Sequence, residues 1–128
     1  MSISLDPHVA ERILFLRYIA PVNPEVDMAT AMQAIAEFYR QVQREFFVIA
    51  DVREFEITFD TLVEGLDLIR RQLAGVPVRM TAIGTSEMVR IGAEAITQKQ
   101  YGGFEAGKVF ATDEEAFAYC MEELRKSA

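Results

Sequence analysis

Phe46-Phe47-Val48-Ile49-Ala50-Asp51-Val52 is the stretch that decides the fold. It is almost continuously apolar, the pattern of a strand covered on both faces and therefore of a largely buried sheet. Two runs of the same kind lie on either side of it, at residues 13–19 and 78–84, and each leads into a segment patterned as a helix. A shorter run, Lys108-Val109-Phe110, precedes the last helical segment. Helical crossovers between successive strands force those strands parallel and make the connections right-handed. Residues 3–5 read as a short edge strand that turns through Asp6-Pro7-His8 and pairs antiparallel with residues 12–19, because the spacing between them suits a hairpin and not a helical crossover. The expectation is an α/β fold with a mixed sheet of about five strands and about four helices, the first strand being the antiparallel one.

The helices carry their own start and stop signals. Asn23-Pro24 places Asn as N-cap and Pro at the first helical position. Met28, Met32, Ile35, Tyr39, Val42 and Phe46 then recur at alternating spacings of four and three, one face of a helix running to about residue 44. In the second helix, Leu62, Leu66, Ile69 and Leu73 form the stripe. Its start is open between Thr58 and Asp60 as cap, with Thr61 and Glu64 as a further capping box, and Gly75 with Pro77 ends it. Gly84-Thr85-Ser86 reads as a turn plus N-cap for a helix reaching to about residue 100, closed by Gly102-Gly103. Thr112-Asp113-Glu114-Glu115 is a capping box for the closing helix, whose apolar face is Phe117, Cys120, Met121 and Leu124.

Composition narrows the function classes. The chain has 128 residues, 51% of them hydrophobic and 26% charged, which suits one globular domain spanning 1–128. One cysteine permits no intrachain disulfide and fits a reducing compartment. The first residues lack a basic segment followed by a long apolar one, and no apolar run approaches the ~20 residues of a membrane span, so a cytoplasmic location without a transmembrane segment is expected. Against 13 basic residues stand 20 acidic ones, a net charge of −7, and the basic residues are scattered. That field repels polyanions, so nucleic acid is not an expected partner.

The order of elements along nearly the whole chain resembles the STAS domain, specifically the SpoIIAA-like fold of the anti-sigma-factor antagonists. The local match is Phe47 through Thr61, an apolar strand ending in Asp, a loop, and then a helix start, and the ending from Val109 to Phe117 is similar to the strand-then-helix close of bacterial STAS-like proteins. In that family the helix opens on Asp-Ser-Ser-Gly, and its second serine is phosphorylated. Here the segment is Asp60-Thr61-Leu62-Val63, so Leu62 stands at the acceptor position, with Thr61 adjacent and Thr58 nearby. The resemblance implies a divergent regulatory module in bacteria that lacks the acceptor serine.

Two candidate sites follow. Thr58, Asp60 and Thr61 would form a switch or anion site at a helix N-terminus, where free backbone N–H groups and the helix dipole favour a phosphate; the plain alternative is an N-cap. Asp51 with Gly84, Thr85 and Ser86 would form a rim site, because ligands of open α/β sheets bind at the carboxyl ends of strands; the plain alternative is that Asp51 and Ser86 cap their own turns. Chemistry has little else to work with. His8 is the lone histidine and sits in a turn, Cys120 lies on an apolar stripe, and no His/Cys spacing suits a metal or calls for a cofactor. Phe55, Phe59, Tyr101 and Phe104 lie in or beside loops, where they either roof the core or mark an interface or apolar pocket. The leading expectation is thus a non-enzymatic interaction and signalling module that docks to a protein partner or to itself as a homodimer. The alternative is a binder or sensor of a small apolar or lipid-like molecule, held between the sheet and a movable helix, the methionine-rich first one. An enzyme comes third, with only the acidic rim to support it.

Overall fold

The computed structural model describes residues 2–101, 103–104 and 106–126. Five strands form one sheet: β1 (Ile3–His8), β2 (Ile13–Tyr18), β3 (Phe46–Asp51), β4 (Val78–Ile83) and β5 (Ala106–Phe110). They lie side by side in chain order, with β1 antiparallel to β2 and all later neighbours parallel. Four helices complete the fold: α1 (Pro24–Val42), α2 (Phe59–Gln72), α3 (Glu87–Ala95) and α4 (Asp113–Lys126). Right-handed crossovers that all step the same way place their helices on one face of the sheet. Accordingly α1, α2 and α3 share the core that holds Leu14, Leu16, Phe46, Val48, Val78 and Met80, while α4 folds back over Ile13, Phe15, Phe47, Ile49 and Ile83 on the other face. The period-two alternation along each strand sorts these two sets. β3 is buried on both sides because it is the middle strand between two helical layers.

The helix caps follow the side chains that flank them. Asn23 accepts a bond from the Val26 N–H at 3.3 Å, Ser86 from Val89 at 3.2 Å and Thr112 from Glu115 at 3.3 Å. At α2 the cap is Thr58, which accepts from the Thr61 N–H at 3.2 Å; neither Asp60 nor a Thr61–Glu64 box serves, since both positions already lie within the helix. α1 stops at Val42, two residues short of the expected end, because Gln43 turns left-handed at φ 52°.

Three other boundaries differ from the sequence reading. β1 runs through Pro7 to His8, and the hairpin turns instead at residues 9–12, where the Arg12 N–H meets the Val9 carbonyl at 3.1 Å with Arg12 at φ 61°. β1 is the edge strand, the place where a sheet tolerates proline. α3 ends at Ala95 instead of near residue 100, and a 3-10 turn follows at Lys99–Tyr101. There the Thr97 hydroxyl donates to the Glu94 carbonyl at 2.7 Å, a local bond that competes with helix continuation. Gly102 of the expected Gly102-Gly103 stop lies outside the described residues. β5 begins at Ala106, earlier than expected, and Gly107 at φ 75° lets it pass α3: a Cβ there would stand 2.3 Å from the Ala93 carbonyl oxygen.

Candidate functional site: an apolar cavity under three helices

The polar rim expected at the strand ends is divided by the sheet. Asp51 follows Phe47 and Ile49 at period two and so faces α4, not the layer that α2 and α3 begin. Its carboxylate accepts from Arg17 Nε at 2.8 Å and from Arg53 Nε and Nη2 at 3.0 and 2.7 Å. The same two guanidinium groups reach Asp113 in the first turn of α4, at 2.7 and 2.6 Å. Burial pushes the Asp51 carboxyl upward, but the Arg53 and Arg17 hydrogen bonds outweigh it and hold the group below the usual carboxylate range. Asp51 is thus a fastener for α4, with its acceptor oxygens taken.

The other rim residues serve the backbone. β3 and β4 pair Asp51 with Ile83, so Gly84, Thr85 and Ser86 do lie beside the end of β3. Gly84 is buried, and a Cβ on it would stand 3.2 Å from Val52 and 3.4 Å from Val89; Thr85 is exposed, and Ser86 is the α3 cap. In the Thr58, Asp60, Thr61 group, the Thr58 hydroxyl donates to Thr61 Oγ1 at 2.9 Å while its oxygen caps the helix, so both hydroxyls are engaged with each other. Asp60 is exposed. Elsewhere, Cys120 is buried beside Thr81, and burial pushes its thiol up to about 12, the setting of an inert cysteine. His8 pairs with Asp6 at 3.0 Å and meets the Phe117 ring edge-on at 5.0 Å between centroids.

What the structure places at that end of the sheet is an apolar cavity of about 180 Å³ between the sheet and the three-helix layer. Its floor is β2, β3 and β4, through Leu16, Val48, Ala50, Met80 and Ala82. Ala50 and Ala82 are register partners, so two small side chains stand together where neighbouring rows carry Val48 and Met80. Along α1 the wall is Met28, Ala31, Met32 and Ile35; along α3 it is Met88, Val89, Gly92 and Ala93, with Ile96 just past the helix end. α2 forms the roof with Leu62, Gly65, Leu66 and Ile69, one stripe of the helix. Glycines let α2 sit close to both flanking helices. A Cβ at Gly92 would come 2.8 Å from Leu62, and one at Gly65 would come 3.3 Å from the Met28 sulfur. The half-buried Val52, Ile57, Thr61 and Met88 line it at the carboxyl ends of the strands.

The expected pocket between sheet and helix is therefore present, but its roof is α2 and α1 is only one wall. Leu62, at the position that the resemblance gives to an acceptor serine, lines this cavity. Among the loop aromatics, Phe55 and Phe104 are buried in the core and Tyr101 packs against it, whereas Phe59 is 64% exposed. The other exposed large apolar residues are spread over β1, the hairpin turn and the helices. Among the described residues no helix is long and apolar enough to cross a membrane. Comparison with models of known protein families, with curated proteins and with solved structures finds no match to this chain.

Proposed function

We propose that this chain is a non-enzymatic binding module that holds a small apolar molecule between its sheet and its three-helix layer. The observation that carries this reading is the cavity itself. A pocket of about 180 Å³ leaves the apolar side chains around it short of contacts, and in a closed core a space of that volume forgoes about 4 kcal/mol of packing. Folded interiors are otherwise packed like organic crystals, so a void of this size is best accounted for by an occupant. The lining supports the same reading, since methionine adapts to irregular apolar shapes and four of the six methionines, Met28, Met32, Met80 and Met88, lie on it. The order of elements remains the support for kinship with STAS-like domains, and the self-engaged Thr58 and Thr61 give a phosphate switch none.

Native mass spectrometry of freshly purified protein is expected to reveal a small organic adduct. Ala31→Leu, which fills the cavity from α1, should remove it from a protein that still folds. Saturating amounts of a ring-sized hydrophobe should raise the thermal midpoint of the native chain by several degrees, since a ligand at a hundred times its Kd adds ~2.7 kcal/mol. A protein with no adduct and an unmoved midpoint would refute the reading. Docking to a protein partner is favoured by one observation, the exposure of Phe59 and Val63 one turn apart on α2. A mass in solution that rises with concentration, and falls in a Phe59→Ser variant, would bring it forward.

A further inference from the structure

We infer that the cavity selects an uncharged, ring-sized hydrophobe and rejects anionic amphiphiles such as fatty acids. This deepens the binding proposal and rests on it. Size comes first. An engineered cavity of about 150 Å³ in another protein accepts benzene, so the 180 Å³ here suits one ring with a short alkyl substituent.

Charge decides the rest. Among the described residues one charged residue, Lys108, borders the cavity. In register it stands opposite Thr81, whose hydroxyl lies 4.0 Å from the Cys120 sulfur of α4. Partners in a parallel ladder project to the same side of the sheet. Lys108 therefore presents its backbone to the cavity and is exposed, with its ammonium toward the other face. Among the described residues no cation is left to meet a carboxylate inside.

An amphiphile with its tail inside and its head at the carboxyl ends of the strands fares no better. There the lining reaches the first turns of α2 and α3, where Thr61 and Met88 follow directly on the exposed Asp60 and Glu87. Those two carboxylates offset the positive ends of both helices, and the N–H groups of Thr61 and Val89 are given to Thr58 and Ser86. At the Tyr18 edge the nearest acid is Asp27, buried and held by Ser2 at 2.8 Å and by the Asn23 N–H at 2.9 Å. Burial, and after it the Asp27 charge, push the Tyr18 phenol up to about 12, so a second anion at that edge would meet the same buried carboxylate.

The test is a methyl NMR titration of the full chain labelled at methionine. Ethylbenzene should move the resonances of Met28, Met32, Met80 and Met88 and leave that of Met121, exposed on α4, in place. Benzoate, its anionic counterpart in size, and octanoate should bind at least about a hundredfold more weakly at pH 7, because the uncharged acid is the form that enters. The benzoate response should strengthen about tenfold for each pH unit between 7 and 5. Either anion binding within tenfold of ethylbenzene at pH 7 would overturn the charge selection and leave the binding proposal standing. Ethylbenzene leaving the four cavity methyls unmoved, or moving them equally in Ala31→Leu, would overturn both.

Discussion

On one side of the sheet α4 covers a closed core: Ile13, Phe47, Ile49, Ile83, Ala116 and Cys120 are fully buried there. Ion pairs fasten that helix at both ends. Arg17 and Arg53 bridge Asp51 to Asp113 at its start, and Arg79 reaches Glu123 at 2.9 Å near its finish while its guanidinium covers the Phe47 ring at 4.6 Å. On the other side three helices cover the same strands, with alanine facing alanine on the floor, glycines on α2 and α3, and 180 Å³ unfilled. Both faces come from one period-two pattern in one sheet, so the void is no limit of the architecture. The chain packs one face closely and leaves the other open, which is what a scaffold with a binding layer requires.

Truncations should separate the two faces most strongly. Phe47→Ala removes a ring enclosed by Arg79, Tyr119 and the sheet, and is expected to destabilise by about 4 kcal/mol. Met32→Ala borders the cavity and loses fewer contacts, so about 2 kcal/mol is expected, the low end for such a truncation. Urea denaturation with an unchanged m-value measures both. Equal losses would mean that the two faces are packed alike.

The same substitution on opposite faces should give opposite signs. Ala31 and Ala116 are both completely buried on helices. Ala116→Leu forces three carbons into a filled layer and should destabilise by about 2 kcal/mol. Ala31→Leu places them in the cavity and should stabilise by about 1 kcal/mol, as cavity filling commonly does. The denaturation midpoints of the two variants should therefore move in opposite directions. A loss at both positions would mean that the cavity wall is as rigid and as full as the α4 layer.

The difference between the faces was only half legible in the sequence. Local signals placed the strands and helices well: the unbroken run at Phe46–Asp51, the Asn23-Pro24 start and the Ser86 cap each depend on neighbours a few residues away. Where two local signals competed, structure had to choose, as with Thr58 over Asp60 as the α2 cap. Pro7 read as a turn because Asp-Pro is a local turn signal, and that signal outweighed the edge position already expected for the strand, where a sheet tolerates proline. Period two already put Asp51 on the side of Phe47 and Ile49, yet its partner Arg17, and the Asp113 that Arg17 and Arg53 also hold, come from distant segments. The cavity is harder still. Ala50 and Ala82 are unremarkable until register sets them side by side, and Gly65 and Gly92 read as weak helix residues until α2 is seen close against α1 and α3. A void belongs to the assembled layers, so the sequence supported a pocket against a methionine-rich helix without showing that α2 roofs it.

The remaining prediction tests the fastening of α4. The Asp51 side chain is 4% exposed, but those of Arg17 and Arg53 are 39% and 42% exposed, so solvent screens the pairs. Removing the carboxylate charge by Asp51→Asn should then cost about 1–2 kcal/mol at neutral pH, below the 3–5 of a fully buried pair. The pH dependence carries the sharper signature. A carboxyl whose pKa is lower in the folded than in the unfolded chain adds stability above its unfolded pKa of about 3.9, and that contribution fades as pH falls through the folded value. The native chain should therefore lose stability below about pH 4, and Asp51→Asn should lose less over the same range, so the two curves converge toward acid. Phe15, which stacks on Phe117 in the α4 layer, offers a local reading because the Arg17 guanidinium lies 5.1 Å from its ring centre. Its ring resonances should shift in Asp51→Asn while the methyls of Met28 and Met32 across the sheet stay put. Cavity methyls that moved with α4 would mean that the two faces are coupled, and the open layer would then be sensitive to how firmly its opposite is fastened.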